Sequence, residues 1–174
     1  LGVRVVAYEA TETRAPLPFR EASFDVVLSR HEAYEAREVA RVLAPGGVLL
    51  TQQVDSRGLG ELRRYFGIET ELRVTIEPLT EELRDAGLTV EDARSWWGTM
   101  TFHDIGALVY YLKAVPWEVP DFSVMRYKGA LLELHRRLER EGKLAFGIGR
   151  LVLRSCKPRS ASCGRGATSR AWSR

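Results

Sequence analysis

Residues 23–53, SFDVVLSRHEAYEAREVARVLAPGGVLLTQQ, constrain the fold more than any other part of this 174-residue chain. They read as an apolar strand (24–28), a short helix (35–43), a Pro-Gly-Gly break and a second apolar strand (48–52). Two such strands run parallel, because a helical crossover is what returns the chain in the same direction. Strands that are apolar throughout, rather than alternating, predict a sheet covered on both faces. Sheets of this kind take ligands in the crevice outside the carboxyl ends of their strands. Here the first strand ends in the polar run Ser29-Arg30-His31-Glu32.

The rest of the chain supplies more elements of the same sort. Residues 1–8 (LGVRVVAY) predict a strand rich in β-branched residues, and a start on core sequence predicts that further chain precedes it. Residues 59–66 predict a helix with Leu62, Tyr65 and Phe66 inward. Thr80 is expected to cap a helix whose first turn holds Glu81 and Glu82, with Gly87 closing it. A strand follows over 88–97. Asp104 starts a helix in which Ile105, Leu108, Val109 and Leu112 share one face, and Pro116 stops it. Residues 124–140 predict another helix, with Tyr127, Leu131, Leu134 and Leu138 in a stripe, and 144–154 a last strand interrupted by Gly147 and Gly149. The order β, β-α-β, α, α-β, α, α, β makes the fold class α/β.

Composition narrows the partners. The formal net charge is +3, but Arg159, Arg165, Arg170 and Arg174 follow Pro158 with no acidic residue, so residues 1–158 carry −1. The folded part is nearly neutral, which gives no support to a nucleic-acid interface, although one is not incompatible with it. Residues 159–174 are almost free of apolar side chains and are expected to form a disordered basic tail. No apolar run reaches the roughly 18 residues of a membrane span. Cys156 and Cys163 lack metal-ligand spacing, so no metal site is expected, and a reduced cytoplasmic protein is the simplest reading.

Taken in order, Ala10, Pro16-Leu17-Pro18-Phe19, Ser23-Phe24-Asp25-Val26-Val27 and Glu38-Val39-Ala40-Arg41-Val42-Leu43-Ala44-Pro45-Gly46-Gly47 resemble the class I S-adenosylmethionine-dependent methyltransferases. Within them the chain is similar to the type 11-like branch, which includes small-molecule and ribosomal RNA guanine methyltransferase-like members. The resemblance covers residues 1–158 as a partial methyltransferase domain, carried by motifs up to Ile68 and by element order beyond it. It implies a Rossmann-like sheet of six parallel strands and one reversed, with helices on both faces. Residues 3–8 would be its third strand, 24–28 the fourth, 48–52 the fifth, and 88–97 and 144–154 the remaining pair. The first two strands, and the glycine-rich loop that holds the donor, have no counterpart in the sequence. The resemblance therefore implies an N-terminally truncated domain that binds S-adenosylmethionine weakly and is weakly active or inactive.

By resemblance, Glu9 and Ala10 would face the adenine of S-adenosylmethionine, with Ser29 and Arg30 also on the cofactor. Glu32 would face the methyl acceptor, a small molecule or nucleobase. His31 is the candidate catalytic group, since an imidazole titrates near neutrality and can orient or deprotonate an acceptor. Methyl transfer from a sulfonium needs chiefly in-line positioning, so no base is obligatory. Trp97, Tyr110 and Trp117 belong to an aromatic-rich second half that could stack a planar acceptor, or that packs the core. The arginine pairs 63–64 and 136–137 are expected on solvated helix faces. A non-catalytic Rossmann-like binding module, or a fragment without function, is the alternative to the enzyme.

Overall fold

The computed structural model describes residues 16–69 and 74–159. The expected strand at 3–8, Glu9, Ala10 and the tail beyond residue 159 lie outside the described residues. The elements are β1 (Phe24–Arg30), α1 (Ala36–Val42), β2 (Leu43–Asp55), α2 (Gly60–Tyr65), α3 (Ile76–Asp85), β3 (Thr89–Phe102), α4 (Ile105–Ala114), α5 (Lys128–Glu141) and β4 (Leu144–Cys156). They form one four-stranded sheet in the order β1-β2-β4-β3. β1 and β2 lie side by side and parallel, with Val26 opposite Val48 and Arg30 opposite Gln52. β4 is the reversed strand, antiparallel to both β2 and β3.

Local chemistry sets most boundaries. The Asp104 carboxylate accepts a hydrogen bond from the Ala107 amide at 2.7 Å and caps α4. Gly87, at φ +83°, supplies the left-handed residue after α3. Thr80 does not begin α3. It lies inside the helix and donates its hydroxyl to the Ile76 carbonyl at 2.6 Å. The helix starts one turn earlier because Ile76, Leu79 and Leu83 make one apolar stripe, and Pro78 is tolerated in a first turn whose amides have no helical partner. Nor do Gly147 and Gly149 interrupt β4, which pairs with β3 from Leu144 to Cys156.

The sheet is covered in two offset halves. Leu49, Leu151 and Leu153 pack with α1 and α3 in one cluster. Phe102, Leu144 and Phe146 pack with α2, α4 and α5 in the other. Side chains alternate between faces along a strand, so even-numbered Phe146 and odd-numbered Leu151 put the clusters on opposite faces. Helices thus lie on both faces, but each face is covered at one end only. Of the two quadrants left open among the described residues, one exposes Val26, Leu28, Leu50, Val54 and Val152, Leu28 to 73%. That is why β1 has the apolar composition of an interior strand while much of it meets solvent.

The residues that carried the resemblance act structurally. Arg41 donates to the Leu17 and Phe19 carbonyls at 3.0 and 2.9 Å and pairs with Glu38 at 2.7 Å. Glu38 accepts the Leu17 amide at 2.7 Å. This clamp fastens the Leu-Pro-Phe segment to α1 and presents Phe19 edge-on to Phe24 at the start of β1. Gly47 follows from close approach, since a Cβ there would sit 2.8 Å from the Ala44 carbonyl and 3.0 Å from that of Phe24.

The doubled arginines are not both solvated. One of each pair is drawn inward: Arg63 pairs with buried Glu118 at 2.9 Å, and Arg137 pairs with Glu61 and Glu141 while lying over the Phe146 ring. Arg63 thereby ties α2 to the α4–α5 connection. Replacing Arg41 by Ala leaves a half-buried carboxylate and two carbonyls without their donor. It is expected to cost about 1–2 kcal/mol in urea denaturation, whereas Arg37→Ala, exposed on the same helix, is expected to change little.

Candidate functional site

The carboxyl ends of β1 and β2 make the site, and a glutamine holds it together. Gln53, buried at the end of β2, directs its amide nitrogen at the Thr51 hydroxyl (2.9 Å), the Glu32 carbonyl (3.1 Å) and the Ser29 hydroxyl (3.4 Å). Ser29 in turn donates to the Glu32 carbonyl at 3.2 Å. The chain can turn back so tightly because His31 adopts φ +58°, a left-handed conformation in which His is among the better-tolerated residues. Its amide closes the ladder on the Gln52 carbonyl at 2.8 Å. Arg30 is exposed, and its Nε donates to Gln52 Oε1 at 3.0 Å.

The turn presents the His31 imidazole, because its backbone is held while its side chain stays free. Burial lowers its pKa from the ordinary 6.5, and Arg150 and then Arg30 push it the same way. The ring is therefore uncharged at neutral pH and able to accept a proton. Arg150 comes from β4, opposite Val54 of β2 and Trp96 of β3. It is half-buried and also influences Tyr111 of α4, whose pKa burial and the Glu118 charge raise to about 12. The Arg150 charge thus acts on both the β1 turn and Tyr111 of the helical layer, while its Nη1 donates to the Gly149 carbonyl at 2.8 Å.

A second cluster lies on the same face as Gln53, opposite the face of Arg30 and Arg150. Asp55, Gly149 and Trp97 are consecutive partners across β2, β4 and β3. A Cβ on Gly149 would fall 2.6 Å from Asp55 Cβ and 3.1 Å from the Trp97 ring, so only glycine lets the two side chains lean together. Arg57 grips buried Asp55 through 2.9 and 2.5 Å hydrogen bonds and lies over the Trp97 indole at 5.2 Å.

The sequence-predicted residues divide accordingly. Ser29, Arg30, His31 and Glu32 come together, but the Ser29 hydroxyl and the Glu32 carbonyl are engaged in the turn itself. Trp97 of β3 lies beside Gly149, with β2 and β4 between it and β1. Tyr110 is 76% exposed on the outer side of α4, whereas Tyr111 packs inward beside Phe102. Trp117 is 74% exposed in the α4–α5 connection. Glu9 and Ala10 lie outside the described residues. The sequence reading missed Gln53, Asp55 and Arg150. The first two were legible as polar residues at the end of an apolar strand, by the same logic as Ser29–Glu32. Arg150 had no such signal, since only the reversed direction of β4 brings it to that end.

No protein-family model matches the chain, and no curated protein matches it. Solved structures do. One from Bacillus halodurans C-125, described as a methyltransferase, superposes with a TM-score of 0.55 at 16% identity, over 82% of this chain and 68% of that one. The YcgJ protein of Bacillus subtilis gives 0.53 at 18% identity, over 83% and 68%. Likeness at these identities shows the fold alone, a mixed α/β, Rossmann-like sheet with helices on both faces. Among the described residues no helix is long and apolar enough to cross a membrane.

Two measurements check the electrostatics. Burial raises the Asp55 carboxyl, but the Arg57 hydrogen bonds outweigh it and leave the group below its ordinary 3.8. Asp55 thus contributes stability above that value, lost as pH falls through the depressed one. Arg57→Ala is expected to cost about 2 kcal/mol, modest for a buried carboxylate because Arg57 is itself partly solvated. It is also expected to invert the sign, so that the variant weakens as pH rises past the ordinary carboxyl range in denaturation series. For His31, an NMR titration is expected to give a midpoint below 6.5, which Arg150→Gln raises only part of the way because burial is the larger cause. Below 6.5 the unfolded chain binds the extra proton, so His31 makes the fold less stable as pH falls toward its folded midpoint.

Proposed function

We propose that this chain forms the acceptor side of an S-adenosylmethionine-dependent methyltransferase site, at the carboxyl ends of β1 and β2. The observation that carries the reading is the Gln53-braced turn. It holds an uncharged, solvent-facing imidazole at the strand-end crevice of a methyltransferase-type sheet. On this side Ser29 and Arg30 would meet the donor, and no carboxylate among the described residues pairs with Arg30. Glu9 and Ala10, on the adenine side, are part of the proposal by resemblance.

When bound, S-adenosylmethionine supplies a methyl group on a sulfonium, open to in-line displacement. The chain contributes position. The left-handed His31 backbone and the Gln53 brace fix the turn, so that an acceptor nitrogen, oxygen or carbon can be held against the methyl group. Bound there, S-adenosylmethionine would supply the methyl group and would itself take up the displaced electron pair. The acceptor's proton passes to the His31 Nδ1 or Nε2, or to solvent. Trp117 and Tyr110 are exposed, in the α4–α5 connection and on α4, and by resemblance they would take a planar small molecule or nucleobase. Glu32, with its carbonyl engaged, has its carboxylate left for the acceptor.

Titration of the 174-residue chain with S-adenosylhomocysteine, followed by amide NMR, tests this. Shifts that saturate with rising ligand are expected at residues 29–32 and 53. Absence of any saturable shift there would refute the site. His31→Asn, which keeps a left-handed turn but offers no basic nitrogen, is expected to retain that binding. It should also lower any methyl transfer by no more than about 100-fold, the low end of a proton-transfer contribution.

A further inference from the structure

The sheet carries four arginines, and two of them lack an acid. Arg94 pairs with Asp92 and Arg154 with Glu91. Among the described residues neither Arg30 nor Arg150 has a carboxylate partner. Arg30 donates Nε to the Gln52 side chain, which leaves its terminal nitrogens open. Arg150 donates one nitrogen to the carbonyl of its own neighbour, Gly149, at 2.8 Å. A half-buried guanidinium without a counter-charge is costly, so an anion that supplied one would be bound tightly.

The register aims both groups at one place. Arg30 lies opposite Gln52, Gln52 opposite Val152, and Arg150 opposite Val54. All are even-numbered in continuous ladders, so Arg30 and Arg150 project from the same face. β2 alone separates them. Strand spacing and rise place their backbones roughly 12 Å apart, a span two arginine side chains close around one anion. Their common influence on His31 agrees with that convergence. Tyr111, also within reach of the Arg150 charge, marks the α4 side.

We propose that this crevice binds its ligand through a carboxylate or phosphate group held between the guanidinium groups of Arg30 and Arg150. The inference deepens the methyl-transfer reading and rests on it only for the ligand's identity. The anion belongs either to the acceptor or to the amino-acid end of the donor. Guanidinium groups give such anions forked hydrogen bonds as well as charge.

The test is titration of the full 174-residue chain with inorganic phosphate, and separately with acetate, at constant ionic strength, read at the His31 ring by NMR. A saturable shift and a rise in the His31 midpoint are expected, since a bound anion favours the imidazolium. Arg30→Gln and Arg150→Gln are each expected to weaken binding at least tenfold. Arg150→Lys, which keeps the charge, should stay saturable, and Arg94→Gln should bind as the parent does. Unsaturated linear shifts, or equal losses in Arg94→Gln, would overturn the proposal. Titration with S-adenosylhomocysteine separates the sources. Competition with phosphate assigns the seat to the donor, and joint binding assigns it to the acceptor. Phosphate seated without any S-adenosylhomocysteine binding would sink the methyl-donor reading and leave the anion seat standing. The converse would sink the seat alone.

Discussion

The parallel pairing of β1 with β2 is the constraint on which the remaining structure depends. It requires a crossover, and the crossover is short: a turn at the end of β1, two turns of α1, and the Pro-Gly-Gly bulge into β2. Each part is chemically specified. Glu38 and Arg41 fasten α1 to the Leu-Pro-Phe segment that leads into β1, and Gly47 lets β2 pass close to the Phe24 carbonyl. With the register fixed, Gln53 comes level with the Ser29–Glu32 turn and braces it. The site is thus a by-product of how the crossover is held.

A second organising fact is the offset of the two cores. The α1/α3 layer and the α2/α4/α5 layer lie on opposite faces and at different ends of the sheet, with β4 running through both. The direction of β4 is what brings Arg150 from the last strand to the mouth defined by the first two. The Arg63–Glu118 pair then fixes the α4–α5 connection to α2, and with it the helical wall carrying Tyr111.

The sequence made the fold class legible because its signals were local. Apolar runs, the Asp104 cap and the glycine after α3 each report on their own neighbourhood, and they located the elements to within a few residues. Thr80 misled because a capping residue type also occurs inside helices, where its hydroxyl bonds back to the preceding turn. The arginine pairs misled because a helix face looks solvated until a distant acid, such as Glu118, is known to face it. Of the site, the Ser29–Glu32 turn was visible as a polar end to an apolar strand. The Asp55–Gly149–Trp97 row and the approach of Arg150 were not. They are set by cross-strand register between segments some 95 residues apart, as in the pairing of Asp55 with Gly149, which no local pattern encodes.

The position of β4 in the middle of the sheet has a dynamic consequence. It is hydrogen-bonded on both edges over much of its length and carries side chains of both cores. β1 is paired on one edge among the described residues, and much of its apolar surface is wetted. Local opening draws on the segments with the fewest buried contacts. Amide protons should therefore exchange slowest in the centre of β4 and fastest, among the strands, in β1, so the Ser29–Glu32 turn sits at the end of the sheet's most readily opened strand.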